Sequence, residues 1–283
     1  MLPADHLLPL ARAAEASGFT TITVPDSVFF PEHVTADYPY SADGSRFWPP
    51  ETPFVEPFVA IAAMAAVTAR VRFLTNVVKL PLRDPLLVAK QLSSLAVLSG
   101  NRVALGVGLS WIPEEFAWTR TDMRTRGART DEMIDILRLV CAGRGPEWVE
   151  YHGEHYDFGR LMISPAPDEP VPIYVGGHSE AALRRAARRG DGWISVQSTR
   201  AQLIEAIDEL VRLRKEHGRE GEPFEVNALC VDVFEVDGYR ALEDAGVTEL
   251  QAVPWYYYGG DPNALTTQID ALHRFGDEVI ARM

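Results

Sequence analysis

The stretch YVGGHSEAALRRAARRGDGW, Tyr174 to Trp193, runs an apolar segment into two glycines, then a Ser that opens a helix and a Gly that closes it. With Ser179 as N-cap, the first backbone N–H groups of that helix are free and the helix dipole favours an anion such as a phosphate. Gly176 and Gly177 would let a ligand approach the backbone closely. An ordinary strand-to-helix turn has the same layout. A second stretch, LGVGLSWIPEEF, repeats the order of strand, glycines and helix around Gly106 and Gly108. It lacks the third glycine of a dinucleotide fingerprint, and no acid follows a second strand at the right distance. Its Glu114 and Glu115 suit either catalytic carboxylates or plain first-turn charge. VPDSVFF ends an apolar run at Asp26, an acid at the place where a barrel strand meets its mouth, and equally a turn former. The seven His residues show no HxxxH or HExxH spacing, so no metal site is expected. Cys141 and Cys230 also lack metal spacing and read as buried free thiols of a reducing cytoplasm.

These residues need a scaffold that brings strand ends together. Helical and strand patterns alternate along the chain, which means a parallel sheet with helices outside it. Seven strands are expected, near 19–25, 70–79, 102–108, 171–176, 192–196, 224–234 and 248–254. A closed (β/α)₈ barrel has eight. The shortfall falls at the start, where a helical pattern over 4–17 leaves no room for a first strand. DPLLVAKQLSSLAVLSG shows a complete helix signature, with Asp84 as N-cap, Pro85 at the first position and Gly100 past the end. Two irregular insertions stand out, about 27–57 and 143–172, the second containing a possible hairpin around WVEYHGEHYDF. The whole of 1–283 reads as one domain.

Composition narrows the function. The 283 residues are 47% hydrophobic and 24% charged, as in a soluble globular protein. No apolar run is long enough to span a membrane, and the Met1 end lacks the layout of a signal peptide. A formal net charge of −13 argues against nucleic acid and anionic membrane as partners.

YVGGHSEAAL, LGVGLSW and TNVVKLPLRDP together resemble the bacterial luciferase-like family of flavin and deazaflavin oxidoreductases, and most nearly its branch that uses coenzyme F-420. Further matching stretches, LARAAEASGFTTITVPDS, YPYSADG, RTDEMIDILRLVCAG and YHGEHYDF among them, extend the resemblance over most of 10–194; the C-terminal third matches weakly. The resemblance implies a TIM-type barrel, lacking its first strand here, with the cofactor ring at the C-terminal mouth. It places the phosphate on Gly176, Gly177, His178 and Ser179. It rests the ring on a bulge at Thr75–Val78, with a cis peptide expected at Asn76–Val77, and adds Gly108 and Trp111 to the cofactor contacts. Asp26, Ser27 and Glu115 are the candidates for catalysis. Trp48, Trp255 and Tyr256 are the candidates for a substrate pocket. Two departures matter. Many deazaflavin relatives carry Asp-His where this chain has Asp26-Ser27. Sugar-phosphate dehydrogenases of the family carry a Glu where this chain has Leu109. The expected activity is hydride transfer between coenzyme F-420 and a small organic substrate, in a cytoplasmic homodimer built through helices near 58–69 and 84–98. The alternatives are an FMN-dependent monooxygenase on the same fold and a non-catalytic cofactor-binding homologue.

Overall fold

A computed structural model describes residues 2–39, 41 and 43–283; part of the YPYSADG stretch, at Tyr40 and Ala42, lies outside the described residues. Ala4–His6 form one 3-10 turn that runs directly into α1 (Leu7–Ala16), followed by β1 (Thr21–Val24). The irregular insertion then leads to α2 (Pro57–Ala65), β2 (Arg72–Thr75), β3 (Val78–Lys79), α3 (Pro85–Ser99) and β4 (Val103–Gly108). Next come α4 (Pro113–Trp118), α5 (Arg126–Val140), β5 (Trp148–His152) and β6 (Asp157–Met162). The second half holds β7 (Ile173–Gly176), α6 (Glu180–Arg189), β8 (Gly192–Ile194), α7 (Arg200–Glu216), β9 (Glu225–Ala228), α8 (Val236–Asp244), β10 (Glu249–Leu250) and α9 (Leu265–Glu278).

Local chemistry sets these elements. Asp84 accepts hydrogen bonds from the N–H groups of Leu86 and Leu87, Pro85 opens α3, and Gly100 closes it at φ 66°, as a left-handed C-cap does. Thr199 and Gln202 form a reciprocal capping box at the start of α7. β5 and β6 pair antiparallel as a separate hairpin on the insertion after α5.

All other strands join one parallel sheet in the order β1, β2, β4, β7, β8, β9, β10, with β3 continuing the β2 position beside β4. Among the described residues the wall has seven positions, and its open seam lies between β10 and β1. The sheet curls until the two edges meet through side chains. Thr21 on β1 donates to Glu249 on β10 at 2.7 Å. Arg72 on β2 reaches Glu249 at 2.5 Å and Glu225 on β9 at 3.2 Å. Asn227 donates to the other oxygen of Glu249 at 3.0 Å, and Gln251 to Asn227 at 2.5 Å. Asn76, just past β2, donates to Gln251 at 2.9 Å. On the outside, α1 packs against α9, and Phe19 stacks on Phe275 with centroids 5.6 Å apart. The main apolar core lies between sheet and helices, and a smaller cluster of Leu74, Ala104, Tyr174 and Ile194 fills the interior.

Two expectations need correction. The run at 224–234 is not one strand: β9 ends at Ala228, and α8 begins at Val236. Beyond Ala228 the backbone bonds to the Ser195 hydroxyl and to Ser198, so Val231 and Val233 belong to a mouth loop despite their β-favouring side chains. The run at 248–254 is not one strand either: β10 covers only Glu249–Leu250, and a 3-10 turn begins at Pro254. The run at 70–79 divides into β2 and β3 at the bulge that the resemblance implies.

Replacing Glu249 with Ala removes the acceptor shared by Arg72, Thr21 and Asn227. The expected loss is about 2 kcal/mol, discounted because the Arg72 end is partly solvated. Urea unfolding reads it as a lower midpoint; an unchanged midpoint would mean that helix packing alone holds the seam.

Candidate functional site

The mouth is built on the bulge between β2 and β3. Phe73 and Leu74 pair with Val103 and Ala104, but Val78 and Lys79 pair with Val107 and Gly108, so the 75–77 side carries one extra residue. The Thr75 hydroxyl takes over the interrupted ladder: it donates to the Gly106 carbonyl and accepts from the Gly106 N–H, each at 2.8 Å. The Asn76–Val77 peptide is cis. The bulge enters the barrel only because the facing wall has no side chains. A Cβ at Gly106 would strike the Thr75 carbonyl, and one at Gly108 would strike Val77. A Cβ at Gly176 would lie 3.0 Å from Val77, tighter than an ordinary contact. The bulge is seated on these glycines, with Val77 over Gly108 and Gly176.

Beside that face, β7 ends at Gly176 and α6 begins. Gly177 takes φ 116°, a region that side chains rarely adopt. Ser179 caps α6 by accepting from Ala182 N–H at 3.3 Å. Trp193 on β8 donates its indole N–H to the Gly177 carbonyl at 2.8 Å, and Val196 N–H donates to His178 Nε2 at 3.0 Å. A neutral ring accepting at Nε2 carries its proton on Nδ1. Burial holds the His178 pKa below the usual value, which favours that neutral form. Among the described residues the N–H groups of Ser179 and Glu180 meet no acceptor, so the start of α6 offers free donors.

Two acids of the mouth, Asp26 and Glu115, are committed through both oxygens, while Glu114 keeps its Oε2 without a partner. Asp26 accepts from Arg83 at 2.8 and 3.0 Å and from Lys79 N–H at 2.9 Å, and its side chain is only 2% exposed. Glu115 is fully buried; it accepts from Lys79 Nζ at 2.5 Å and from the Ser110 hydroxyl at 2.6 Å. Glu114 accepts from the N–H and hydroxyl of Thr35, tying the 27–57 insertion to α4. Burial pushes the Glu114 pKa up, but the Thr35 bonds and Arg46 outweigh it, and the net shift is downward. Ser27 follows Asp26 on a loop, partly buried.

An aromatic canopy covers part of the mouth. Tyr38 meets Phe47, Trp48 and Trp111 edge-on at 5.7, 5.2 and 5.4 Å, and Trp48 meets Phe54 at 6.0 Å. Trp48 and Trp111 thus stand together. Trp255 does not join them: it packs against Leu10, Ala13, Ala14 and Leu272 near the seam, with Tyr256 exposed beside it. Sequence reasoning missed Lys79 and Thr75. Both lie inside the apolar-looking run VRFLTNVVKL, where one inserted residue redirects the side chains.

The chain is similar to known proteins in sequence and fold. The luciferase-like monooxygenase family model matches residues 2–245. A protein of Mycobacterium tuberculosis, named only as uncharacterized, is 46% identical over 279 residues, 98% of this chain and 95% of its own length. An F420-dependent glucose-6-phosphate dehydrogenase of Nakamurella multipartita is 31% identical over 248 residues, 85% of this chain and 67% of its own length. A solved F420-dependent secondary alcohol dehydrogenase aligns over 98% of this chain and 94% of its own with a TM-score of 0.74; at 16% identity this is a likeness of fold.

Thr75→Val keeps the side-chain shape but leaves the Gly106 N–H and carbonyl without their partner in a buried place. Stability should fall by about 1–3 kcal/mol, measured as a lower denaturation midpoint. A neutral result would show that the bulge does not depend on the hydroxyl.

Proposed function

Since the chain belongs to the luciferase-like monooxygenase family, we infer that it is an oxidoreductase that binds coenzyme F-420 at the barrel mouth and exchanges hydride with a small organic substrate. The observation that carries this reading is the bulge at the mouth. Gly106, Gly108 and Gly176 make room for it in the wall, so that Asn76 and Val77, both only partly buried, stand beside a helix start with free N–H groups. Such a surface suits a planar ring joined to a phosphate. The F420-dependent names among relatives support the same cofactor.

Each part of the site then has work to do. Asn76, Val77 and Gly108 would support the ring, and the loop from Gly176 to Ser179 would hold the phosphate through backbone N–H groups. Trp193 and Val196 keep that loop in place through their bonds to Gly177 and His178. Trp48 and Trp111 would shield the mouth from water and shape the substrate's space. Bound there, coenzyme F-420 supplies a two-electron hydride acceptor or donor. Neither the Asp-His pair nor the dehydrogenase Glu is present, since Ser27 and Leu109 stand there, so proton handling must come from elsewhere.

The reading extends to assembly and location. Val59 on α2 and Leu87 and Leu98 on α3 are 63%, 66% and 78% exposed, an apolar face suited to a second copy of the chain. Light scattering should give a dimer that Leu87→Asp/Leu98→Asp converts to monomer; a monomeric parent would rule the dimer out. Free Cys141 and Cys230 support a reducing cytoplasm, and no helix among the described residues is long and apolar enough to cross a membrane.

An absorbance and fluorescence titration tests the cofactor. Coenzyme F-420 should bind more tightly than FMN, and its phosphate-free deazaflavin core should bind at least about tenfold more weakly than the whole. That loss corresponds to one charge-assisted bond of about 1.5–3 kcal/mol. Preference for FMN would make the protein a flavin enzyme, binding of neither would make it a non-catalytic homologue, and equal affinity for core and cofactor would remove the phosphate from the α6 loop.

A further inference from the structure

Lys79 occupies a position that the bulge alone creates. Val78 points outward among the helix-facing core, so Val77 and Lys79, its two neighbours along the strand, share the inward side. Both flank Gly108: Val77 fills the place of its missing side chain, and Lys79 pairs with it in register. The ammonium therefore stands at the rim of the face on which a cofactor ring would rest.

Its bonding is one-sided. Both oxygens of Glu115 are used, one by Lys79 and one by Ser110, and that side chain is fully buried. Lys79 has three N–H donors, and among the described residues its ammonium meets one acceptor, Glu115. Its side chain keeps 13% exposure while that of Glu115 keeps none, so whatever solvent meets the pair meets it at the lysine. A purely structural tie between β3 and α4 gains little from charge, because apolar residues of similar volume serve as well. An ammonium fixed by a buried carboxylate, with donors to spare, is a pre-organised partner for an oxygen atom. The surroundings indicate which oxygen. Glu115 balances Lys79, and Arg46 feels the negative charge of Glu114 and Glu115. The mouth is therefore close to electrically neutral and favours a neutral carbonyl or hydroxyl over a carboxylate.

We propose that Lys79, held by Glu115, anchors the oxygen of a neutral carbonyl or alcohol substrate at the barrel mouth. In reduction the hydride from a reduced deazaflavin would add to the carbonyl carbon and a proton from solvent to the oxygen, and a fixed positive charge there would stabilise the negative charge that grows on that oxygen before the proton arrives. The proposal rests on the oxidoreductase reading, but its first test needs no cofactor.

The probe is isobutyramide, a neutral carbonyl that does not accept hydride. In protein labelled with ¹⁵N-lysine, the Lys79 Nζ signal, assigned by its loss in Lys79→Arg, which keeps the charge beside Glu115, should move on titration with isobutyramide. An unmoved signal overturns the proposal. A signal moved by acetate but not by isobutyramide overturns the neutral substrate class. Lys79→Met alone strands a buried carboxylate and can simply unfold, so the decisive variant is Lys79→Met/Glu115→Leu, which removes both charges together. It should bind isobutyramide at least about tenfold more weakly than the parent, while Lys79→Arg retains binding. Equal probe affinity in the double variant and the parent would leave Lys79 a structural tie. Cofactor titration runs separately: a parent that moves the Lys79 signal but binds no deazaflavin sinks the cofactor reading and leaves the oxygen site standing.

Discussion

The structure depends on a chain of side-chain hydrogen bonds across an open seam. It runs from Asn76 to Gln251, Asn227 and Glu249, and there meets Thr21 and Arg72, which also holds Glu225. A closed barrel joins its last strand to its first by a backbone ladder. Here β10 and β1 are joined by carboxylates, amides and a guanidinium instead. Pairing is what makes such groups tolerable in an interior, since a polar group buried without a partner is costly. Every acceptor named has a donor, so among the described residues the two edges meet through side chains.

The same chain couples the seam to the mouth. Asn76 is its upper end and also the first residue of the cis peptide in the bulge. Thr75, one residue earlier, repairs the ladder that the bulge interrupts. On the far wall, glycines at 106, 108 and 176 make room for what the bulge pushes inward. None of these features works alone. A side chain at Gly108 would evict Val77, and a bulge without Thr75 would leave Gly106 unpaired inside. The insertion at 27–57 is fastened over this arrangement through the bonds of Thr35 to Glu114 and through the Tyr38 contacts with Trp48 and Trp111.

Much of this was legible in the sequence, for local reasons. Caps such as Asp84 and Ser179 act within three residues, so helix starts at α3 and α6 could be read directly. Strand order followed from alternation with helices, and the short count of seven followed with it. Features set by distant partners were not legible. The run through Val231 and Val233 looked like strand because its β-branched residues have strand propensity, yet its backbone bonds go to Ser198 and Ser195. Trp255 resembled a pocket aromatic, but α1 and α9 claim it. The bulge was expected only through family resemblance. No local signal marks one extra residue in VRFLTNVVKL, and that residue decides where Lys79 points.

The distribution of bonds at the mouth limits the chemistry the protein can offer there. Both oxygens of Asp26 serve Arg83 and the Lys79 backbone, and both oxygens of Glu115 serve Lys79 and Ser110. Either carboxylate could accept a proton from a substrate only by giving up an ion pair, and breaking a buried pair is strongly unfavourable. His178 spends Nε2 on Val196. Among the groups left without a full set of partners are donors, the N–H groups at the start of α6 and the ammonium of Lys79, and one acceptor, the buried Oε2 of Glu114. The donors recognise electron-rich groups, a phosphate at one end and a substrate oxygen at the other. The acids found at the mouth are therefore the supports of its chemistry, and the groups they hold in place are the ones left to meet a ligand.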